Sequence, residues 1–188
     1  MRYEKGRKDA SRGRIMEVAA DRFRGDGIAA SGLATIMSDA GLTNGAFYPH
    51  FQSKAELVRE SVAAAMELQA RQLADALASG GPEVAMEAYL SAEHRDNPGQ
   101  GCASAALLPE LARQPPETRA VYTERLLTLA RQLAAAVPQV KDPEGTALAV
   151  FATLIGTLQL ARAVQGTDLS DRILAAGKDA ARTLMRQR

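Results

Sequence analysis

"LTNGAFYPHFQSK", residues 42–54, gathers Asn44, Gly45, Phe47, Tyr48, Pro49, His50, Phe51 and Lys54 into one short segment. An ordinary soluble helix has no need for so dense a mix of aromatic, polar and basic groups. Just before it, Leu33, Ile36, Met37 and Ala40 recur at i, i+3, i+4 and i+7, the stripe of an amphipathic helix. Ser31 stands where it would cap that helix, and Thr43 where it would cap a short helix after the turn at Gly41. Pro49 limits the second helix, because it lacks the N–H that would bond Gly45 and disfavours helical geometry at Tyr48. Two short helices joined by a glycine turn make a helix-turn-helix.

That arrangement serves nucleic-acid recognition when three conditions hold. The first helix must pack on the second, which Leu33, Ile36, Met37, Ala40 and Phe47 allow. The second must enter a major groove about 12 Å wide. Phosphate-binding groups must flank it to fix its register. Asn44 and Gly45 lie at the end of the second helix that reaches base edges, and Asn pairs bidentately with adenine. Gly45 permits close backbone approach. Tyr48 and His50 can donate to phosphate. Lys54 sits in the first turn of the next helix, where free amides and the dipole already favour an anion. Arg2, Lys5, Arg7, Lys8, Arg12 and Arg14, against Glu4 and Asp9, form a basic arm suited to a DNA backbone or minor groove.

Around this segment almost everything reads helical, and strand-type alternation is missing. An all-α fold of about nine helices is expected. The first spans Asp9 to Arg24 and ends at "GDG", and the capping box Ser53-Lys54-Ala55-Glu56 opens the fourth. "SGGP" at 79–82 stops the fourth near Ala78, and "RDNPGQG" ends the fifth. The sixth runs from Cys102 to Arg113 and the seventh from Glu117 to Val137. Asp142-Pro143 caps an eighth that is apolar nearly all round, and Ser170 opens a ninth. Residues 1–55 are expected to form the DNA-binding domain with its basic arm, and 56–188 a helical ligand-binding and dimerisation domain.

Composition narrows the alternatives. The 188 residues are 46% hydrophobic and 24% charged, with a net charge of +1, which suits a globular protein and excludes a uniformly basic coat. One cysteine, Cys102, excludes an intrachain disulfide and thiolate clusters. His50 and His94 are the only histidines, so no metal site is expected. Walker, zinc-protease and nucleophile-elbow patterns are absent, so the chain is not expected to be an enzyme, and no cofactor is implied. The N-terminus lacks the apolar core of a secretory signal, and the apolar stretch 147–161 is too short and too interrupted for a membrane span. A cytoplasmic protein with no membrane partner is expected.

The stretch "IMEVAADRFRGDGIAASGLATIMSDAGLTNGAFYPHFQSKAELVRES" resembles the DNA-binding domain of TetR-family transcriptional regulators. The resemblance rests on Ala19, Phe23 and Gly27; on Ile36, Ala40 and Gly41; on Gly45, Phe47, Tyr48, His50 and Phe51; and on Lys54, Glu56 and Leu57. It covers roughly residues 10–60. It implies that Thr43, Asn44, Gly45, Tyr48 and His50 lie on or beside a recognition helix and that Lys54 meets a phosphate. Ser31 joins these as a candidate DNA contact. Pro49 departs from the pattern, standing where many members carry a side chain able to touch DNA.

One helix-turn-helix reads only a few base pairs, so a homodimer on a double-stranded, palindromic DNA operator is expected, with half-sites about one turn apart. The resemblance also implies a small-molecule effector that releases it, as in a repressor. An apolar effector is expected, in a pocket lined by Met66, Met86, Tyr89, Cys102, Leu107, Leu108, Tyr122 and Phe151. These residues serve equally as plain core at their helical spacing. Leu154, Leu158, Ala161, Ile173 and Leu184 are the expected dimer interface. Two alternatives remain. Cys102 is the candidate for a redox- or electrophile-sensing repressor, or a small buried hydrophobe. A helical interaction protein without DNA binding has no reason to combine Gly45, Tyr48, His50 and Lys54.

Overall fold

The computed structural model describes residues 2–186, with side chains from Lys8 onward. Among them are eight α-helices: α1 (Arg2–Asp26), α2 (Leu33–Asp39), α3 (Lys54–Tyr89), α4 (Ala92–Asp96), α5 (Ala103–Leu111), α6 (Pro116–Ala136), α7 (Pro143–Ala163) and α8 (Asp168–Arg186). Single 3-10 turns cover Asn44–Ala46 and Pro98–Gln100. The expected all-α architecture holds; of the nine helices expected, the third is a 3-10 turn, the fourth and fifth run together as α3, and the short α4 is additional. The backbone of α3 leaves helical geometry at Gly80 and Gly81, where Gly81 takes φ 76°, so "SGGP" breaks α3 into two helical parts, as expected. A left-handed φ suits glycine, and Pro82 restarts the helix without needing an N–H partner.

The segment expected to be an arm continues α1 as helix back to Arg2 rather than standing off as a tail. The side chains of Arg2, Lys5 and Arg7 lie outside those described. A small head consists of α1, α2, the 44–46 turn and the start of α3. Ile15, Ala19, Phe23, Ile36, Met37, Phe47, Phe51 and Leu57 meet inside it, each at most 1% exposed. Burying each large apolar side chain contributes roughly 1.5–3 kcal/mol, so this cluster outweighs the poor intrinsic stability of a seven-residue α2.

The body pairs α3 with α6, α6 with α7, and α7 with α8. By length and composition alone α7, at 21 residues, would pass as a membrane span, longer than the stretch 147–161 suggested. It packs instead as a core helix, with Ala147, Val150, Phe151, Leu154, Leu158 and Ala161 buried. Pro109 sits inside α5 and cannot bond the carbonyl of Ala105. Gln159 of α7 donates its side-chain amide to that carbonyl at 3.1 Å, which repairs the gap and ties the two helices.

Candidate nucleic-acid interface and internal cavity

The turn after α2 is set by Gly41, whose φ of 67° reverses the chain; its N–H bonds the Ser38 carbonyl, and Leu42 N–H returns to Met37. Ala46 and Phe47 then bond the carbonyls of Thr43 and Asn44, forming a 3-10 turn. The helix ends there, as Pro49 dictates, although Phe51 still bonds back to Phe47. Phe47 is the hinge pin of the segment. It stacks on Phe51 at 5.5 Å and meets the Tyr48 ring edge-on at 5.4 Å.

With Phe47 and Phe51 turned inward, the neighbouring side chains are turned out. Thr43, Asn44, Gly45 and Pro49 are exposed, and Tyr48 is 71% exposed. Thr43 begins the turn in extended geometry without a side-chain cap bond. His50 is half-buried, with its Nδ1 shielded and unpartnered. Burial, then the positive charges of Lys8 and Arg12, holds His50 below the ordinary imidazole range. Those cations of α1 therefore flank the 44–50 segment. Arg12 also covers the Phe51 ring at 4.8 Å and pairs with Glu60.

Two candidate contacts, Ser31 and Lys54, are engaged within the chain. Ser31 is 2% exposed and donates its hydroxyl to the Gly27 carbonyl at 2.6 Å; Gly32, not Ser31, occupies the cap of α2. A serine closing the Gly27 turn is held inward, with its hydroxyl already bonded. Lys54 is half-buried, and its ammonium donates to the Ile28 carbonyl at 2.6 Å. That uses one of its three donors. Around it Ser53 caps the helix by accepting from Glu56 N–H, while Glu56 accepts from the N–H of Gln52, one residue before the cap, in place of the Ser53 N–H of a full capping box.

The loop that Lys54 touches joins head to body. Glu110 of α5 accepts the N–H of Ile28 at 3.0 Å and of Ala29 at 2.8 Å. Gly27 is required beside it: its φ is 91°, and a Cβ would lie 2.7 Å from the Glu110 carboxylate. A second seam runs through Arg24, which donates to the Gly99 carbonyl at 2.5 Å, and Asp21, which accepts from Gln100 at 2.9 Å.

Behind that seam lies a cavity of about 640 Å³ between α3, the 91–102 segment, α6 and α7. The volume falls within the range of small-molecule sites. Of the expected lining, Met86, Tyr89, Cys102 and Phe151 stand on its wall. Met66 and Leu107 are buried in the packed core, Leu108 packs against it, and the Tyr122 hydroxyl bonds Ser104 at 2.9 Å. Leu154, expected at a dimer interface, is on the cavity wall. Leu158 and Ala161 are wholly buried in the chain's own core, whereas Ile173 and Leu184 remain half-exposed. Sequence reasoning missed Arg24, Gln69, Gln72, His94, Leu129 and Leu133 of the wall. Glutamines on a long helix read as solvated, and only the fold brings α1 and α6 to α3.

His94 organises the polar side of the wall. Its Nδ1 donates to the Tyr89 carbonyl at 2.7 Å, and its Nε2 accepts from Cys102 N–H at 2.9 Å. These partners require the neutral tautomer, and burial, aided by Arg162, holds the imidazole below its ordinary range. Cys102 in turn caps α5 and lies 3.2 Å from the Gln69 amide nitrogen.

Residues 15–61 match the family model for bacterial regulatory proteins, tetR family. No curated protein matches the chain by sequence. Similar solved structures include a TetR transcriptional regulator from Chloroflexus aurantiacus, with 22% identity, TM-score 0.81, and coverage of 100% of this chain and 98% of that one. A TetR-family regulator from Cytophaga hutchinsonii has 18% identity and TM-score 0.79 over 97% of this chain and 98% of that one. The reduced form of E. coli NemR has 17% identity and TM-score 0.76 over 90% and 96% respectively. Residues 15–61 are thus similar in sequence to the tetR family of bacterial regulatory proteins, and the whole chain shares the fold of these solved structures.

Proposed function

We propose that the chain is a homodimeric, cytoplasmic repressor that grips a palindromic DNA operator and is released by a small molecule held in the cavity. It works by binding and not by catalysis. Residues 1–55 are the DNA-binding domain and 56–188 the ligand-binding and dimerisation domain. The observation that carries this proposal is the outward set Thr43, Asn44, Gly45 and Tyr48 on a segment pinned by buried Phe47, flanked by Lys8, Arg12 and His50. Asn44 and Gly45 read base edges, while Tyr48, His50 and Lys54 meet phosphates.

One head reads only a few base pairs, so a dimer gains affinity from half-sites one helical turn apart. An apolar flank shared by α7 and α8 supports such pairing. On α7 it consists of Ala149, Thr153, Gly156 and Leu160, the last 61% exposed. On α8 it continues through Leu169, Ile173, Ala176, Ala180 and Leu184 at helical spacing. Two copies would close a four-helix bundle over these small residues.

Release has a route through the seam. The cavity wall includes Arg24 of α1, and the 97–102 segment beside it holds the carbonyl of Gly99. A ligand that favours another position of this segment moves α1, and so the spacing of two heads; its effect is bounded by its differential affinity for the two positions. Ala180→Glu tests the dimer and its consequence together. Sedimentation is expected to report a monomer, and retention of a palindromic duplex is expected to collapse. A variant that stays dimeric and retains the duplex would remove this flank from the interface.

A further inference from the structure

The cavity wall has two chemical halves. Leu129, Leu133, Val150, Phe151 and Leu154 make one side apolar. Gln69, Tyr89, His94 and Cys102 make the other polar. The Tyr89 hydroxyl is buried, with the weakly bonding Cys102 thiol near it and no well-formed hydrogen bond. A buried hydroxyl so poorly paired is costly, so a better partner is either supplied from outside or missing at a penalty. The Gln69 amide nitrogen meets only the weak acceptor Cys102 Sγ at 3.2 Å, while its oxygen faces the same thiol at 3.4 Å, which leaves the nitrogen with donor capacity.

Charge decides the kind of partner. Arg24 and His94 are the only basic residues on the wall among those described, and Glu93 the only acidic one. Arg24 is committed to Asp21 at 3.0 Å and to the Gly99 carbonyl. Both ring nitrogens of His94 are already bonded. Arg162 donates to the carbonyls of His94 and Arg95 at 2.7 and 3.0 Å and is not part of the wall. A carboxylate brought into the cavity would therefore lose its hydration without gaining an uncommitted cation. Burial also keeps the Tyr89 phenol protonated, so it acts as a donor.

We infer that the cavity takes an uncharged amphipathic molecule: an apolar body against α6 and α7, and a carbonyl-type oxygen that accepts from Tyr89 and Gln69. This rests on the reading of the cavity as the effector site and adds one polar contact to the apolar effector expected from the sequence.

The test uses three probes of one skeleton on the full-length protein near neutral pH: 2-acetylnaphthalene, 2-ethylnaphthalene and 2-naphthoate. Calorimetric titration is expected to find the ketone bound roughly fivefold tighter than the ethyl compound, the value of one neutral hydrogen bond. Naphthoate is expected to bind more weakly than the ketone. In Tyr89→Phe the gap between ketone and ethyl compound is expected to close. Equal affinities in the wild type, an unchanged gap in Tyr89→Phe, or no binding by any probe would overturn the inference. Tightest binding by naphthoate would also overturn it and point to Arg162 as an anion partner. Duplex release is measured separately by fluorescence anisotropy. Binding in the expected order without release supports the cavity chemistry and contradicts only the ligand-relieved repressor.

Discussion

The head and the body use similar side chains to opposite ends. In the head, Phe47 and Phe51 close a core with no room to spare, and the polar groups between them are pushed to the surface. In the body, Phe151 and Leu154 border a space of about 640 Å³, and polar groups such as Tyr89 and Gln69 turn toward it. One region presents chemistry outward on a rigid base; the other holds chemistry inward around a void. They meet at a few polar contacts, Glu110 on Ile28 and Ala29, Arg24 on Gly99 and Gln100 on Asp21, and through buried side chains of α1 and α3 that join the two into one core. A change of shape in the body therefore reaches the head through these hydrogen bonds and through that shared packing.

The largest effect expected from this contrast is on core packing. Phe47→Ala is expected to cost about 3–5 kcal/mol, because the head has nothing that could fill the hole. Phe151→Ala is expected to cost less, since part of its surface already faces empty space. Chemical denaturation of both variants checks the order. A cost for Phe151→Ala equal to that for Phe47→Ala would mean that the cavity wall is as tightly packed as the head.

Next is Asn44→Ala, which is expected to lose about 1–3 kcal/mol of discrimination at one position of each half-site. Lys54→Ala is expected instead to weaken binding to all sequences and to lower the salt slope by roughly one. Titrations against matched and mismatched duplexes at several salt concentrations separate base reading from phosphate contact.

Glu110→Gln keeps the shape of the clasp but removes its charge. A loss of about 1–2 kcal/mol is expected, because charge-assisted bonds exceed neutral ones. Amide exchange at Ile28 and Ala29 is expected to quicken. Unchanged exchange there would show that the loop is held by Lys54 and Ser31 alone.

The smallest effect is with pH. His94 and His50 both titrate below the ordinary imidazole value of about 6.5, chiefly through burial. The unfolded chain thus binds protons first as pH falls. Stability is expected to be fully present above about 6.5 and to decline from there down through the depressed folded values. His94→Gln is expected to flatten part of that decline when thermal melts at pH 7.5 and 5.5 are compared. A protein that grows more stable on acidification would contradict the neutral tautomer assigned to His94.

The head was legible in the sequence because its determinants are local. The stripe Leu33, Ile36, Met37, Ala40, the turn at Gly41 and the stop at Pro49 act within a few residues of one another. So do "SGGP" and the capping box at Ser53. Ser31 misled because a serine before an apolar stripe usually caps, whereas here the left-handed Gly27 places a carbonyl within its reach. The cavity was only partly legible. Leu154, Leu158 and Phe151 share one helix and one apolar character, and only the packing of α6 and α8 decides which of them face a void and which a neighbour. Glu110 gave no sign at all, since its partners lie some eighty residues away.

The most direct test of the account is selection of bound duplexes from a random pool by purified protein that has been unfolded, dialysed and refolded to empty the cavity. The account predicts enrichment of a palindrome whose half-sites lie about one helical turn apart. Enrichment of no sequence by the folded protein would contradict it and leave the outward face of residues 43–50 without a role in DNA recognition.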